Sequence, residues 1–185
     1  MTNRFRNKYR ITTTRLPNWD YGWNAAYFIT ICTADRTPYF GSIPMVQKEM
    51  ELSHTGQIVF DLWQLIPENF PFITLDEFVI MPDHIHGIIV IDKNDGDHHG
   101  SRCAINRAST NTDAGGITGN KNPMLHDNLS RIIRWFKGRS TFECRKINEH
   151  FGWQSRFYDH IIRDRESHDR IRNYIRNNPL NWKQS

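Results

Sequence analysis

Two histidines one residue apart, His84 and His86, and a tyrosine near the other end of the chain, Tyr174, are the residues best suited to chemistry. On a β-strand, residues i and i+2 project from the same face. The His84-Ile85-His86 spacing therefore aims two imidazoles at one point, which suits a divalent metal ion. A metal held there would polarise a phosphate, and a tyrosine brought alongside would attack it through its phenolic oxygen. Asn178 follows Tyr174 by four residues, one helical turn, so the two share a face. The amide oxygen of Asn178 is then a candidate to complete the metal shell.

Spacing alone leaves alternatives open. With nine histidines in 185 residues, a chance His-x-His pair is expected in roughly half of such chains. Two histidines at the end of a sheet could simply be satisfied by hydrogen bonds. Tyr174 sits between Ile171 and Ile175 and could merely pack, and Asn178 could be a helix-end residue. Tyr158 is a rival nucleophile, with Asp159 and His160 as rival ligands or acids. Position distinguishes His84 and His86: Pro82-Asp83 has turn chemistry, and Ile88-Ile89-Val90-Ile91 is apolar on both faces. The pair opens what reads as a central strand.

The elements that must position these groups follow from periodicity. Ala26–Thr33 is aromatic and β-branched and reads as a buried strand. Residues 38–53, with Gly41 and Pro44, read as an irregular or short hairpin segment. Apolar residues at helical spacing predict a helix over 56–66, closed by Pro67 and Pro71. Phe78–Met81 and His84–Ile91 predict an antiparallel hairpin. Leu129–Ile147 reads as a helix, Arg156–Arg163 as a strand and Glu166–Asn178 as a last helix, which Pro179 is expected to end by disfavouring α geometry at Asn178. The order predicts an α+β, ferredoxin-like βαββαβ domain over 1–185, with an antiparallel sheet, two helices on one face and an extra C-terminal helix carrying the tyrosine. That helix is free to lie against the histidine pair. Residues 92–123 are rich in Gly, Asn, Asp, Ser and Thr and read as a mobile insertion rather than a lid. Asp97-His98-His99 within it looks metal-like, but a polar loop without fixed geometry is the better reading.

Composition points toward a polyanionic partner. The net charge is +4, but residues 1–15 carry +5 and residues 131–185 carry +7, which leaves −8 for residues 16–130. If the basic ends meet in space they form a positive surface for nucleic acid; the bland alternative is that they solvate helix faces. Candidate DNA-binding residues are Arg4, Arg6, Lys8, Arg10 and Arg15 in a basic arm over 1–20, and Arg131, Arg134, Lys137 and Arg139 off the apolar stripe of the 129–147 helix. Trp23, Trp135, Trp153 and Tyr158 could stack unpaired bases, though such aromatics are more often core or rim residues. No apolar run approaches the roughly 20 residues of a membrane span. Three widely spaced cysteines, Cys32, Cys103 and Cys144, argue against a disulfide framework or a zinc ribbon, and a reducing cytoplasm is the simplest setting.

At these residues the chain resembles a known family. MPDHIHGIIVI (81–91), IIRWFKGRSTFE (132–143), FYDHIIRD (157–164) and IRNYIRNNPLNW (171–182), with the opening YRITTTRLPNWDYGWNAAYFITICTADR (9–36), resemble the single-tyrosine HUH transposases, and most closely the REP-associated tyrosine transposases. The resemblance spans roughly 9–182 apart from the insertion. It implies a ferredoxin-like core acting on single-stranded DNA, often a hairpin. His84 and His86 match the family's metal histidines, Asn178 the polar residue that helps bind metal, and Tyr174 the nucleophile. The implied reaction is a Mg- or Mn-dependent transesterification that leaves a 5′-phosphotyrosine and a free 3′ hydroxyl; a monomer and a homodimer both stay open. Two other classes stay open: a DNA-hairpin-binding protein with little catalysis, and an HUH replication initiator or relaxase-like nuclease.

Overall fold

A computed structural model describes residues 16, 19–46, 48–93 and 127–182, together with the backbone of two short paired stretches, 4–5 and 8–9. Those stretches, β1 (Arg4–Phe5) and β2 (Lys8–Tyr9), pair with each other antiparallel. The main sheet is built from β3 (Ala25–Cys32), β6 (Ile73–Met81), β7 (His84–Ile91) and β8 (Tyr158–Ile162) in the order β6-β7-β3-β8. Every neighbouring pair in it is antiparallel. A two-residue hairpin, β4 (Gly41–Ser42) with β5 (Glu51–Leu52), occupies the segment expected to be irregular. The helices are α1 (His54–Gln64), α2 (Ile66–Asn69), α3 (Leu129–Cys144) and α4 (Arg165–Asn177). The sequence β3-α1-β6-β7-α3-β8 is the expected βαββαβ unit, and α4 is the extra helix.

Side-chain alternation divides the sheet into two faces. Tyr27, Ile29 and Ile31 of β3 and Ile85, Ile89 and Ile91 of β7 bury against Val59, Leu62 and Trp63 of α1 and Ile132, Ile133 and Phe136 of α3. The intervening residues Phe28 and Ile88, with Ile162 of β8, form a smaller cluster with Ile175 of α4. His84 and His86 share parity with Ile88 and so face the α4 side. Gly87, between His86 and Ile88, faces the other layer, where a Cβ would come within 2.5 Å of the Trp63 ring. That ring stacks on Phe78 at 4.7 Å, so the glycine is what lets the indole lie against the strand.

Each long helix starts at a side-chain cap: Ser53 accepts from the Gly56 N–H, Asn128 from Arg131 and Asp164 from Ser167. Helix α4 buries little apolar surface; Ile175 is its one fully buried hydrophobic residue. Polar contacts to β6 supplement this: ion pairs from Arg176 Nε to Glu77 Oε2 at 2.6 Å and from Arg172 Nε to Asp76 Oδ1 at 3.2 Å, and an approach of His168 Nε2 to Asp76 Oδ2 at 2.6 Å. The β6–β7 register shifts between Leu75 and Phe78. That irregularity is what lets two successive acids both reach one helix.

The structure moves several expected boundaries. The second strand starts at Ile73 rather than Phe78. The first helix ends at Gln64, and Pro67 sits inside the first turn of α2 rather than closing α1, where its missing N–H costs nothing. Asn178 adopts α geometry (φ −59°, ψ −45°) despite Pro179, because the chain continues into a 3-10 turn, Pro179–Asn181. The basic arm ends earlier than residue 20, since Trp19 packs on the core. Asp92 and Lys93 belong to the folded domain rather than the insertion: Asp92 N–H donates to Phe72 O, and Lys93 Nζ to Gly22 O at 2.9 Å and to Asp127 O. The rest of the insertion, Asp97-His98-His99 and Cys103 included, lies outside the described residues.

Candidate active site

A cleft of about 410 Å³ opens where the start of β7 faces the end of α4. His84 and His86 form its floor, and Tyr174, Asn178 and Trp182 line it from the α4 side. The two histidines are 6% and 5% exposed, although both belong to the polar end of the strand. Their Nε2 atoms lie 3.1 Å apart. The Tyr174 hydroxyl lies 3.4 Å from His86 Nε2, and its side chain stays accessible to a substrate, at 51% exposure.

Neighbouring groups fix both rings. His84 Nδ1 lies 2.5 Å from Asp83 Oδ1. A carboxylate only accepts, so Nδ1 of His84 carries the proton and Nε2 presents a lone pair to the cleft. His86 Nδ1 lies 2.8 Å from Thr30 Oγ1, on the strand next door in the Thr30↔His86 register. When the threonine accepts that bond, Nε2 of His86 also presents a lone pair. Burial pushes the His84 imidazolium below its ordinary value, against the pull of Asp83. Burial, with the charges of His84 and Arg36, pushes that of His86 down to about 3. Both rings are therefore neutral near pH 7, the form that coordinates a cation. A base so weakened is a poor acceptor for the phenolic proton, which favours ligation over general-base work at His86.

The other sequence candidates fall elsewhere. Arg131, Arg134, Lys137 and Arg139 lie on α3, in the helical layer across the sheet from the cleft. Arg131 pairs with Asp127, and Arg139 with Glu143 at 3.2 Å. Lys137 donates to the Gln154 carbonyl, whose own N–H bonds Cys32 O at the cleft end of β3. Arg6, Arg10 and Arg15 lie outside the described residues, and Arg4 and Lys8 are described as backbone only. Trp135 and Trp153 pack against the core. Tyr158 projects, half exposed, on the cleft face of β8 opposite Thr30, edge-on to Phe28.

Four residues at the site lie within the family-like segments without having been singled out for chemistry. Thr30 reads only as part of a strand and Asp83 only as a turn residue, while Arg36 and Trp182 appear only within the family-like segments. Asp83 carried a signal, since an acid beside paired histidines is the usual partner for an imidazole N–H. Trp182, whose ring lies 5.9 Å from that of His84, ends the segment that bears the tyrosine.

No family model matches the sequence. An uncharacterized protein of Haemophilus influenzae is 37% identical over 174 residues, which span 92% of this chain and 88% of that protein. This chain belongs to the family of that protein. Among solved structures, a REP-associated tyrosine transposase bound to a REP hairpin superimposes with a TM-score of 0.58 over 92% of this chain and 74% of its own length, at 17% identity. The two proteins share a fold, the one the sequence resemblance led us to expect. Among the described residues, no helix is long and apolar enough to cross a membrane.

Proposed function

We propose that this family member cleaves and rejoins single-stranded DNA, hairpins included, with Tyr174 as nucleophile and a Mg or Mn ion held by His84, His86 and Asn178. One observation carries the reading: the phenol, from a distant helix, reaches within 3.4 Å of an imidazole nitrogen that is itself 3.1 Å from a second one. The shared fold with a hairpin-bound transposase supports the same substrate class.

The donor set fits a cation. Two nitrogens bound to one ion at about 2.1 Å and roughly at right angles lie about 3 Å apart. Both rings are neutral and backed by hydrogen-bond partners on their other nitrogens, as metal-binding histidines usually are. Among the described residues no third His, Cys, Asp or Glu joins them. Further positions would fall to the Asn178 amide, water and phosphate oxygens, which suits a hard cation that must admit substrate. Such an ion, when bound, would withdraw charge from the non-bridging phosphate oxygens.

The chain's own residues supply the rest. Tyr174 Oη gives up its proton to water and forms the new bond to phosphorus, the P–O3′ bond breaks, and the released 3′ oxygen takes up a proton from water. The 5′ end is then held as a phosphotyrosine, and reversal by a 3′ hydroxyl rejoins the strand without an external energy source. Within one copy of the chain the Tyr174 hydroxyl reaches His86, and the protein acts as a monomer or homodimer.

The test incubates an end-labelled DNA hairpin with protein and Mn²⁺ and resolves the products on a denaturing gel. A covalent protein–DNA band that disappears in Tyr174→Phe is the expected result. Hairpin bound without any adduct would replace this reading with that of a DNA-hairpin-binding protein.

A further inference from the structure

We propose that Arg36 grips the phosphate that Tyr174 attacks, an assignment that rests on the DNA-cleavage reading above. Arg36 lies in the 3-10 turn Ala34–Arg36 that follows β3. Asp35 and Arg36 both have left-handed backbone, at φ 54° and 58°. For residues other than glycine this costs about 1–2 kcal/mol each, and such strain persists only where surrounding structure enforces it. Here it does. Thr33, fully buried, donates its N–H to Asp83 O at 2.9 Å, and Ala34 donates to Gly152 O at 2.8 Å. The turn is thereby fastened to the Pro82-Asp83 corner that precedes the histidines.

The consequence is a guanidinium held at two of its three nitrogens, with the third left open. Its Nε lies 2.7 Å from Asp83 Oδ2, and one terminal nitrogen donates to Cys32 Sγ at 2.9 Å. No other described residue bonds it, its side chain is 51% exposed, and it lines the same cleft as Tyr174. Asp83, by contrast, is 6% exposed and uses its second oxygen on His84. One carboxylate therefore orients both a candidate metal ligand and the cation. An arginine needed only to neutralise Asp83 would not require a half-open guanidinium over the cleft. A planar fork with free N–H groups matches two oxygens of a phosphodiester, and its charge would act most strongly as negative charge builds on phosphorus.

The experiment measures the rate of adduct formation at saturating DNA for the unaltered protein, Arg36→Ala and Arg36→Lys. Each is tested on a normal hairpin and on hairpins with a neutral methylphosphonate, of either stereochemistry, at the scissile position. Arg36→Ala is expected to slow the normal substrate about 10²–10³-fold, with Arg36→Lys intermediate. On at least one methylphosphonate the Ala defect should shrink to within about tenfold, because the charge that Arg36 meets is gone. A structural role through Asp83 would slow all substrates equally, and that outcome overturns the assignment. So does an Arg36→Ala protein as fast as the original. Thermal melting of each variant checks folding, and Arg36→Lys carries the same substrate comparison if Arg36→Ala does not fold. If the unaltered protein forms no adduct with any hairpin, the cleavage reading falls first; normal adduct formation with no substrate-dependent Arg36 effect sinks this proposal alone.

Discussion

The hydroxyl of Tyr174 lies 3.4 Å from Nε2 of His86, across 88 residues of chain. The contact is long for a hydrogen bond and is made by a side chain that is half exposed. Its contribution to stability is therefore small, and the phenol is free to turn toward a substrate.

Tyr174→Phe should accordingly abolish the covalent adduct while changing folding stability by less than about 1 kcal/mol. Hairpin affinity should stay within about threefold. Denaturing gels, urea titration and gel shift make the three measurements. A loss of several kcal/mol would assign the phenol to packing instead.

Asp83→Asn should weaken Mn²⁺ binding about 10–100-fold, the usual effect of removing the group behind a metal-bound imidazole. The change also leaves Arg36 without its ion pair. Mn²⁺ titration followed by electron paramagnetic resonance reads this directly, without any DNA present. An unchanged affinity would mean that the carboxylate does not orient His84 for a cation.

The ionic contacts of α4 predict a salt-sensitive helix. Individual exposed pairs contribute about 0–1 kcal/mol each, and salt screens them. Asp76→Asn combined with Glu77→Gln should raise amide hydrogen exchange along α4, and 1 M NaCl should do the same to the unaltered protein. Exchange in β7 and α3, which are held mainly by the apolar core between them, should change little. Equal loosening of all elements would contradict the division of the sheet into two independent faces.

Burial pushes the Cys144 thiol up to about 12. The folded state keeps this proton where the unfolded chain loses it near its ordinary value, so the thiol costs stability as pH rises from about 9 toward 12. At pH 8 the thiolate, the reactive form, is almost absent in the folded protein. Iodoacetamide followed by peptide mass mapping should find Cys144 unmodified until denaturant is added. Rapid labelling of the native protein there would place that end of α3 in solvent.

Gly87→Ala should destabilise the fold by about 1–3 kcal/mol, because a new methyl meets the fully buried Trp63 ring. Urea titration measures the loss, and an unchanged midpoint would mean that the indole moves aside freely.

The sheet and the histidine pair were legible because they rest on local pattern. Pro82-Asp83 fixes the hairpin, and period-two alternation through Ile88 and Val90 fixes which way His84 and His86 face. The docking of α4 was legible only as an option, since Ile171 and Ile175 do not say what covers them. The start of β6 was obscured by Asp76 and Glu77, two successive acids in a strand, whose partners lie about a hundred residues later on α4. Arg36 left no trace in the pattern because its role comes from a turn whose shape is set by Asp83 and Gly152, both distant in sequence. For α3, helical spacing picked out the buried Leu129, Ile132, Ile133 and Phe136, but it ran on to Ile147, which lies exposed beyond the helix end, and it carries no information on which side of the sheet the wet face ends up relative to the cleft.

The alternation along β7 also guards the aim of the imidazoles. Sliding that strand by a single position would turn both rings into the layer occupied by Trp63 and Phe136, and would expel Ile85 and Ile89 from it. Desolvating two unpartnered imidazoles while wetting two isoleucines would cost several kcal/mol. The oily neighbours thus act as a ratchet: the reactive end of the strand inherits its pointing accuracy from residues that never touch a substrate.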